Sequence, residues 1–134
     1  MKDTGGEVKT VLAVIPQAKV AGALNGTGID RRGYNSLVVT ALRGADAGGA
    51  SAWTCAVKVQ DSADNSSFTD ISGATGSIAY DSSSSGSAEI NLDLRAYKRY
   101  VRVVMTPAFT GGSTPSLLVA ASVALGQASV KPAV

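Results

Sequence analysis

The sequence predicts an all-β protein, a two-sheet β-sandwich of jelly-roll or immunoglobulin-like type with seven to nine short strands. Three observations predict it. Apolar and polar residues alternate at period two in several segments, most clearly 53–60, 89–94, 101–105 and 117–125. Clusters of Gly, Ser, Asn, Asp and Pro interrupt these segments every eight to fifteen residues. No segment repeats its apolar residues convincingly at helical spacing.

Taken in order, residues 1–7 are polar and Gly-rich and read as a flexible arm. Residues 8–15 form an apolar, β-rich run with Pro16 as its stop. Apolar residues on both of its faces predict a central strand, or one covered on both sides. Lys2, Lys9 and the run 11–15 mimic a secretory leader, but Asp3, Glu7 and Pro16 break that pattern, so the run reads as a first strand. Residues 17–25 read as a second, short strand. Asn25-Gly26-Thr27-Gly28 is a turn signal, 29–33 a corner, and 36–42 the strand after it. Residues 44–52 read as a loop without packing residues. The segment 53–60 points Trp53, Cys55, Val57 and Val59 inward, and 68–71 begins the return strand of a hairpin. Residues 72–77 read as a turn, 78–80 as a short strand, and 81–87 as a mobile serine run. Residues 89–94 lead into a second corner and a long strand that Pro107 ends. Residues 107–116 read as a loop with Phe109 as its exposed apolar tip. Leu117, Val119, Ala121, Val123 and Leu125 share one face of the last strand. The expected organisation is an arm over 1–7, one β-sandwich domain over 8–126 and a C-terminal tail over 127–134.

Composition narrows the function more than it names it. The 134 residues are 45% hydrophobic, but only 5% aromatic and 16% charged. Such a chain packs small side chains closely, or buries further area against a partner. A net charge of +2 gives no case for nucleic acid or an anionic membrane, and no segment approaches transmembrane length. The expectation is a soluble protein made in a cytoplasm. Cys55 is the single cysteine, so no internal disulfide exists, and its apolar neighbours predict a buried thiol.

Catalytic inventories are poor. There is no histidine and no Gly-x-Ser-x-Gly, so a serine or cysteine nucleophile has no imidazole base. Zinc lacks ligands. Asp61, Asp64, Asn65 and Asp70 offer hard oxygens without the spacing of a calcium loop, and read as a hairpin loop capping its own backbone. No catalytic residue, metal or cofactor is expected.

One motif recurs. Ile29-Asp30-Arg31-Arg32-Gly33-Tyr34 and Leu92-Asp93-Leu94-Arg95-Ala96-Tyr97 each carry Asp-x-Arg-x-Tyr before a strand. Asp30, Arg32 and Tyr34 then match Asp93, Arg95 and Tyr97 as two equivalent structural corners, each Asp accepting turn N–H groups or pairing with its Arg. Downstream, Arg95, Lys98, Arg99 and Arg102 make the only local basic cluster, which strand alternation divides between two faces.

Together with 57–71 and the strand through Val104, these corners resemble head decoration, or cement, proteins of tailed bacteriophages. The resemblance spans most of residues 8–126. It implies a β-sandwich on the outer capsid surface of a virion, bound to a major capsid protein of HK97-like fold and bridging its subunits. It also implies a homo-oligomer, trimer favoured over dimer, with no nucleic-acid or membrane partner and synthesis in the host bacterial cytoplasm. The candidate interface is Lys2, Asp3, Thr4 and Glu7 on the arm, Phe109 and Thr110, and Arg99 and Tyr100. The alternative is a tail- or fibre-associated β module binding a host-surface glycan. That alternative requires exposed aromatics, which are few.

Overall fold

A computed structural model describes residues 8–80 and 85–128. The expected arm at 1–7, most of the serine run and the tail beyond 128 lie outside the described residues. So do Lys2, Asp3, Thr4 and Glu7.

The chain is all-β. Among the described residues nine strands run β1 Lys9–Lys19, β2 Leu24–Asn25, β3 Ile29–Asp30, β4 Tyr34–Ala47, β5 Ala52–Ser62, β6 Thr69–Ala79, β7 Gly86–Asp93, β8 Tyr100–Thr110 and β9 Ser116–Ala128. One 3-10 turn, Leu94–Ala96, precedes β8. Every pairing is antiparallel. One sheet, here sheet A, has the order β1-β9-β4-β7. Sheet B has the order β2-β8-β5-β6, with β3 also on β8.

These pairings follow from one rolled ribbon. The β5·β6 hairpin is its tip. Behind the tip lie β4·β7, then β2 and β3 on β8, then β1·β9. Successive rungs fall alternately in sheets B, A, B and A. Rolling adds the pairings β4·β9 and β5·β8, which close the two sheets. Counting β2 and β3 as one interrupted strand gives the eight-strand jelly roll rather than the immunoglobulin order.

Alternation decides the core. Leu37, Val39 and Ala41 from β4, Trp53, Cys55, Val57 and Val59 from β5, and Val101, Val103 and Met105 from β8 are buried. So are Leu117, Val119, Ala121, Val123 and Leu125 from β9. Most are small, and each buried Val or Leu contributes about 1.5–3 kcal/mol.

Several sequence expectations are corrected. Pro16 does not stop β1. Among the described residues that strand pairs with β9 alone, and a register shift between Val14 and Gln17 absorbs the proline. Nor does Pro107 end β8. Its carbonyl accepts from Gly22 at 3.2 Å, so its ring nitrogen faces the side where β2 has already ended. The loop expected at 44–52 shrinks to 48–51, because β4 runs to Ala47 across a register shift between Arg43 and Asp46 and β5 begins at Ala52. The turn expected at 72–77 is a bulge inside a continuous β6, with Gly73 at φ +84°. The expected loop tip Phe109 lies within β8, partly buried and paired with Trp53, so it is not an exposed anchor. Finally, β1 is neither central nor covered. It is an edge strand whose Leu12 and Ile15 are exposed.

Candidate docking surfaces

The two Asp-x-Arg-x-Tyr corners are one corner of the ribbon. The segment from β3 to β4 passes from sheet B to sheet A. The segment from β7 to β8 passes back beside it. Ile29 pairs with Val101 on one side of the bend, and Ser36 with Asp93 on the other. Both paired strands must bend at the same level, which is why the same local chemistry occurs twice.

That chemistry is an aspartate capping its own turn. Asp30 Oδ1 accepts the Arg32 N–H at 3.0 Å, and Asp93 Oδ1 accepts the Arg95 N–H at 3.0 Å. The side-chain pairings then differ. Arg95 forks onto Asp93, with Nη2 to Oδ2 at 2.7 Å. Asp30 is instead gripped by Arg99 of the other strand, through Nε at 3.1 Å and Nη2 at 2.7 Å. Asp30 therefore does not pair with Arg32 as expected from the repeat. The Arg99 guanidinium, then the Arg32 N–H, hold its pKa down at about 2. Arg95, by side chain and then backbone, holds Asp93 at about 2 as well.

Arg31 closes the corner. Its backbone N–H donates to the Arg99 carbonyl at 2.9 Å, and its guanidinium donates to the carbonyls of Lys98, Tyr34 and Tyr97. Asp61, at the end of β5, accepts the Lys98 N–H at 3.1 Å. The corner thus gathers Arg31, Arg32, Arg95, Lys98, Arg99 and Arg102, half of the twelve basic residues of the chain. Asp30, Asp61 and Asp93 stand among them. Arg32 and Lys98 are exposed, without a carboxylate partner among the described residues. Tyr34 is buried and Tyr97 partly buried, while the Arg99 guanidinium lies 5.0 Å over the Tyr100 ring.

The expected interface residues do not converge. Arg99 and Tyr100 stand at this corner. Phe109 and Thr110 stand at the other end of β8, about 30 Å away at about 3.3 Å per residue. The loop carboxylates are occupied by their own backbone and neighbours. Asp64 accepts the N–H groups of Ser66 and Ser67, and Asp70 bonds Lys58 and Gln60. Among the described residues no three His, Cys, Asp or Glu side chains gather as a metal site.

Sequence reasoning missed the second surface, the outer face of sheet A. Leu12 on β1, Leu42 on β4 and Leu118 on β9 are 53%, 45% and 47% exposed, and Ile15 is 59% exposed. Register puts Leu12 beside Ser122, Leu118 beside Ala18, and Leu42 beside Ala120. Glu89 and Asp93 are the charges on the outward positions, both on β7 at the margin. A shallow depression of about 340 Å³ lies between Pro16, Gln17, Leu42, Arg43, Leu118 and Ala120. Its signal was present as adjacent apolar pairs, Leu117-Leu118 and Ala41-Leu42, in strands with one face already buried. The outer face of sheet B contrasts with it, carrying Lys58, Gln60 and Arg102, with Arg102 donating to Gln60 at 2.7 Å and stacking 4.3 Å over Phe68.

A third feature was also missed. Arg43 continues the inward parity of Val39 and Ala41, so β4 carries it between the sheets. Its guanidinium lies 4.8 Å over the Trp53 ring, against which Tyr80 packs edge-on at 5.8 Å. It closes the end of the sandwich opposite the corner.

No protein-family model and no curated protein matches this chain. Among solved structures it is similar to the SPBc2 prophage-derived protein YomS, at 12% identity over 89% of this chain and 92% of that one, with a TM-score of 0.49. It is similar to a structure of Bacillus endospore appendages, described as disulfide-linked pili, at 12% identity over 90% and 88%, with a TM-score of 0.45. The CBM36-1 domain of a multidomain xylanase from the hindgut metagenome of Trinervitermes trinervoides is 14% identical over 92% and 99%, with a TM-score of 0.44. At these identities and scores none of them bears on what this chain binds.

Proposed function

We propose that this protein is a structural virion protein that binds the outer surface of a tailed-phage head and stabilises the expanded shell by bridging capsid subunits. The reading rests on the resemblance of the corner and hairpin sequences to decoration proteins. The observation that carries it is the division of one rigid sandwich into two unlike contact surfaces. One is the basic corner; the other is the apolar outer face of sheet A. About eight residues of β4, roughly 26 Å, separate the start of that strand at the corner from Leu42 in the apolar face. Both surfaces are therefore available at once, as bridging requires.

The corner faces the shell. Arg32, Lys98 and Arg99 present rigidly based guanidinium and ammonium groups to acidic patches of capsid subunits, and Tyr100 adds a stacked ring. Each contact is weak and screened by salt. Many copies over a lattice make the sum strong.

The test is co-sedimentation with expanded, undecorated heads. The wild type is expected to bind saturably at a fixed ratio to capsid protein. The doubly reversed variant Arg32→Glu with Lys98→Glu is expected to lose at least about tenfold in affinity, since a misplaced like charge costs several kcal/mol. Equal binding by both proteins would remove the corner from the interface. Absence of binding, with the protein found in tail fractions, would overturn the head assignment.

A further inference from the structure

We propose that the open edge of β6, over residues 75–79, takes an extended segment of a capsid subunit as an added strand. The inference rests on the head-binding reading above and names a second contact with the same shell.

Register shows which groups are open. The Tyr80 N–H donates to the Trp53 carbonyl at 3.1 Å, one step beyond the pair of Thr54 with Ala79. In an antiparallel ladder every second residue faces the partner strand, so Ile78 and Gly76 bond β5 as Tyr80 does. Thr75, Ser77 and Ala79 therefore turn their N–H and C=O groups away from β5. All three are exposed, and none pairs with a further strand among the described residues.

The other edges are guarded. β1 carries Lys9, Pro16 and Lys19 and two register shifts, β7 carries Glu89 and Asp93, and β2 and β3 are two residues each. Residues 75–79 hold no proline and no charge, and the bulge of β6 comes before them. A strand added there sets its intervening side chains over Gly76 and Ile78. A Cβ on Gly76 would already meet Ile90 at 3.5 Å and Ala88 at 3.9 Å, so the fitting segment has small or apolar residues at alternate positions.

Size and place select the shell as the source. The open stretch is about 16 Å long and about 10 Å thick, so an added strand buries about 300 Å² over both partners. That is well under the roughly 1,000 Å² of a self-sufficient contact, so the occupant must be held nearby by another contact. β6 starts at the basic corner, where Thr69 pairs with Asp61 and Asp61 accepts the Lys98 N–H. Thr75 lies about 20 Å further along the strand. A shell segment docked at the corner reaches it, at the high effective concentration that tethering supplies.

Amide exchange and co-sedimentation with expanded heads test the proposal. The Thr75, Ser77 and Ala79 amides are expected to exchange fast in the free protein and at least about tenfold slower on heads, with Gly76 and Ile78 slow in both. Ser77→Pro removes an outward N–H and leaves the bonds to β5. It should keep the wild-type circular dichroism spectrum and bind heads at least about tenfold more weakly. If that variant misfolds, exchange in the wild type decides alone. Equal binding by a folded Ser77→Pro, or the same exchange free and bound, would overturn the proposal and leave the corner contact standing. Slow exchange at these three amides in the free protein would overturn it too, by giving the edge to a second copy or to this chain itself. A wild type that binds no heads would remove the corner contact and the added strand together.

Discussion

Replacing Gly26 by alanine should destabilise this protein more than a single-methyl addition at any of its strand glycines. The segment between β2 and β3, which both pair with β8 of sheet B, also touches β1 of sheet A. The Gly26 N–H donates to the Val103 carbonyl of β8 at 2.7 Å, and the next N–H, of Thr27, donates to the Ala13 carbonyl of β1 at 3.0 Å. A Cβ on Gly26 would lie 2.5 Å from the Val103 oxygen and closer still to the Ala13 oxygen. Both obstacles are backbone, so neither can rotate away. Losing two hydrogen bonds costs about 1–3 kcal/mol, and forcing the sheets apart adds about 1–3 kcal/mol. Together these take about 4 kcal/mol from a stability of about 5–15 kcal/mol. With about 2.1 cal/mol/K of unfolding entropy per residue, the 134-residue chain should melt about 10–15 °C lower. Gly76→Ala is the control. Its Cβ would meet Ile90 Cγ1 at an ordinary 3.5 Å, and it carries no positive φ. It should raise stability by about 0.4–1 kcal/mol by restricting the unfolded chain. Differential scanning calorimetry of the three proteins decides. A Gly26→Ala protein melting within about 2 °C of wild type would refute the pinch between the sheets.

Two further outcomes follow from the same geometry. Because Arg99 is the main cause of the lowered Asp30 pKa, Arg99→Ala should return the Asp30 carboxyl from about 2 toward 3.8. Arg32→Ala should move it far less, since its contribution is chiefly the backbone N–H; carboxyl NMR titration separates the two. The sign follows from the depression. The pairing stabilises the fold fully above about pH 4 and is lost as pH falls through about 2. Burial pushes the Cys55 thiol up to about 11, so it should resist a thiol reagent at neutral pH until denaturant unfolds the chain. Rapid labelling of the native protein would contradict its place between the sheets.

Which way each strand faces is written in its own residues. Side-chain parity is a property of neighbouring residues, so Trp53, Cys55, Val57 and Val59, or Val101, Val103 and Met105, declare a common face wherever the strand lies. The same locality made the two aspartate turns legible, since Asp30 and Asp93 each bond a residue two positions on. It also led to errors. Pro16 and Pro107 read as stops because proline lacks a donor, yet each sits where no partner strand requires one. The folded arrangement settles that, because the need for a donor depends on a neighbour distant in the chain. It likewise decided that two corners are one bend of a rolled ribbon, and hence that Asp30 meets Arg99 rather than Arg32. The same rolling left the second apolar face of β1, β9 and β4 uncovered among the described residues. Apolar pairs such as Leu117-Leu118 mark a strand that can be buried twice. Whether a second layer lies there is settled by how far the ribbon wraps, and this one closes with two sheets.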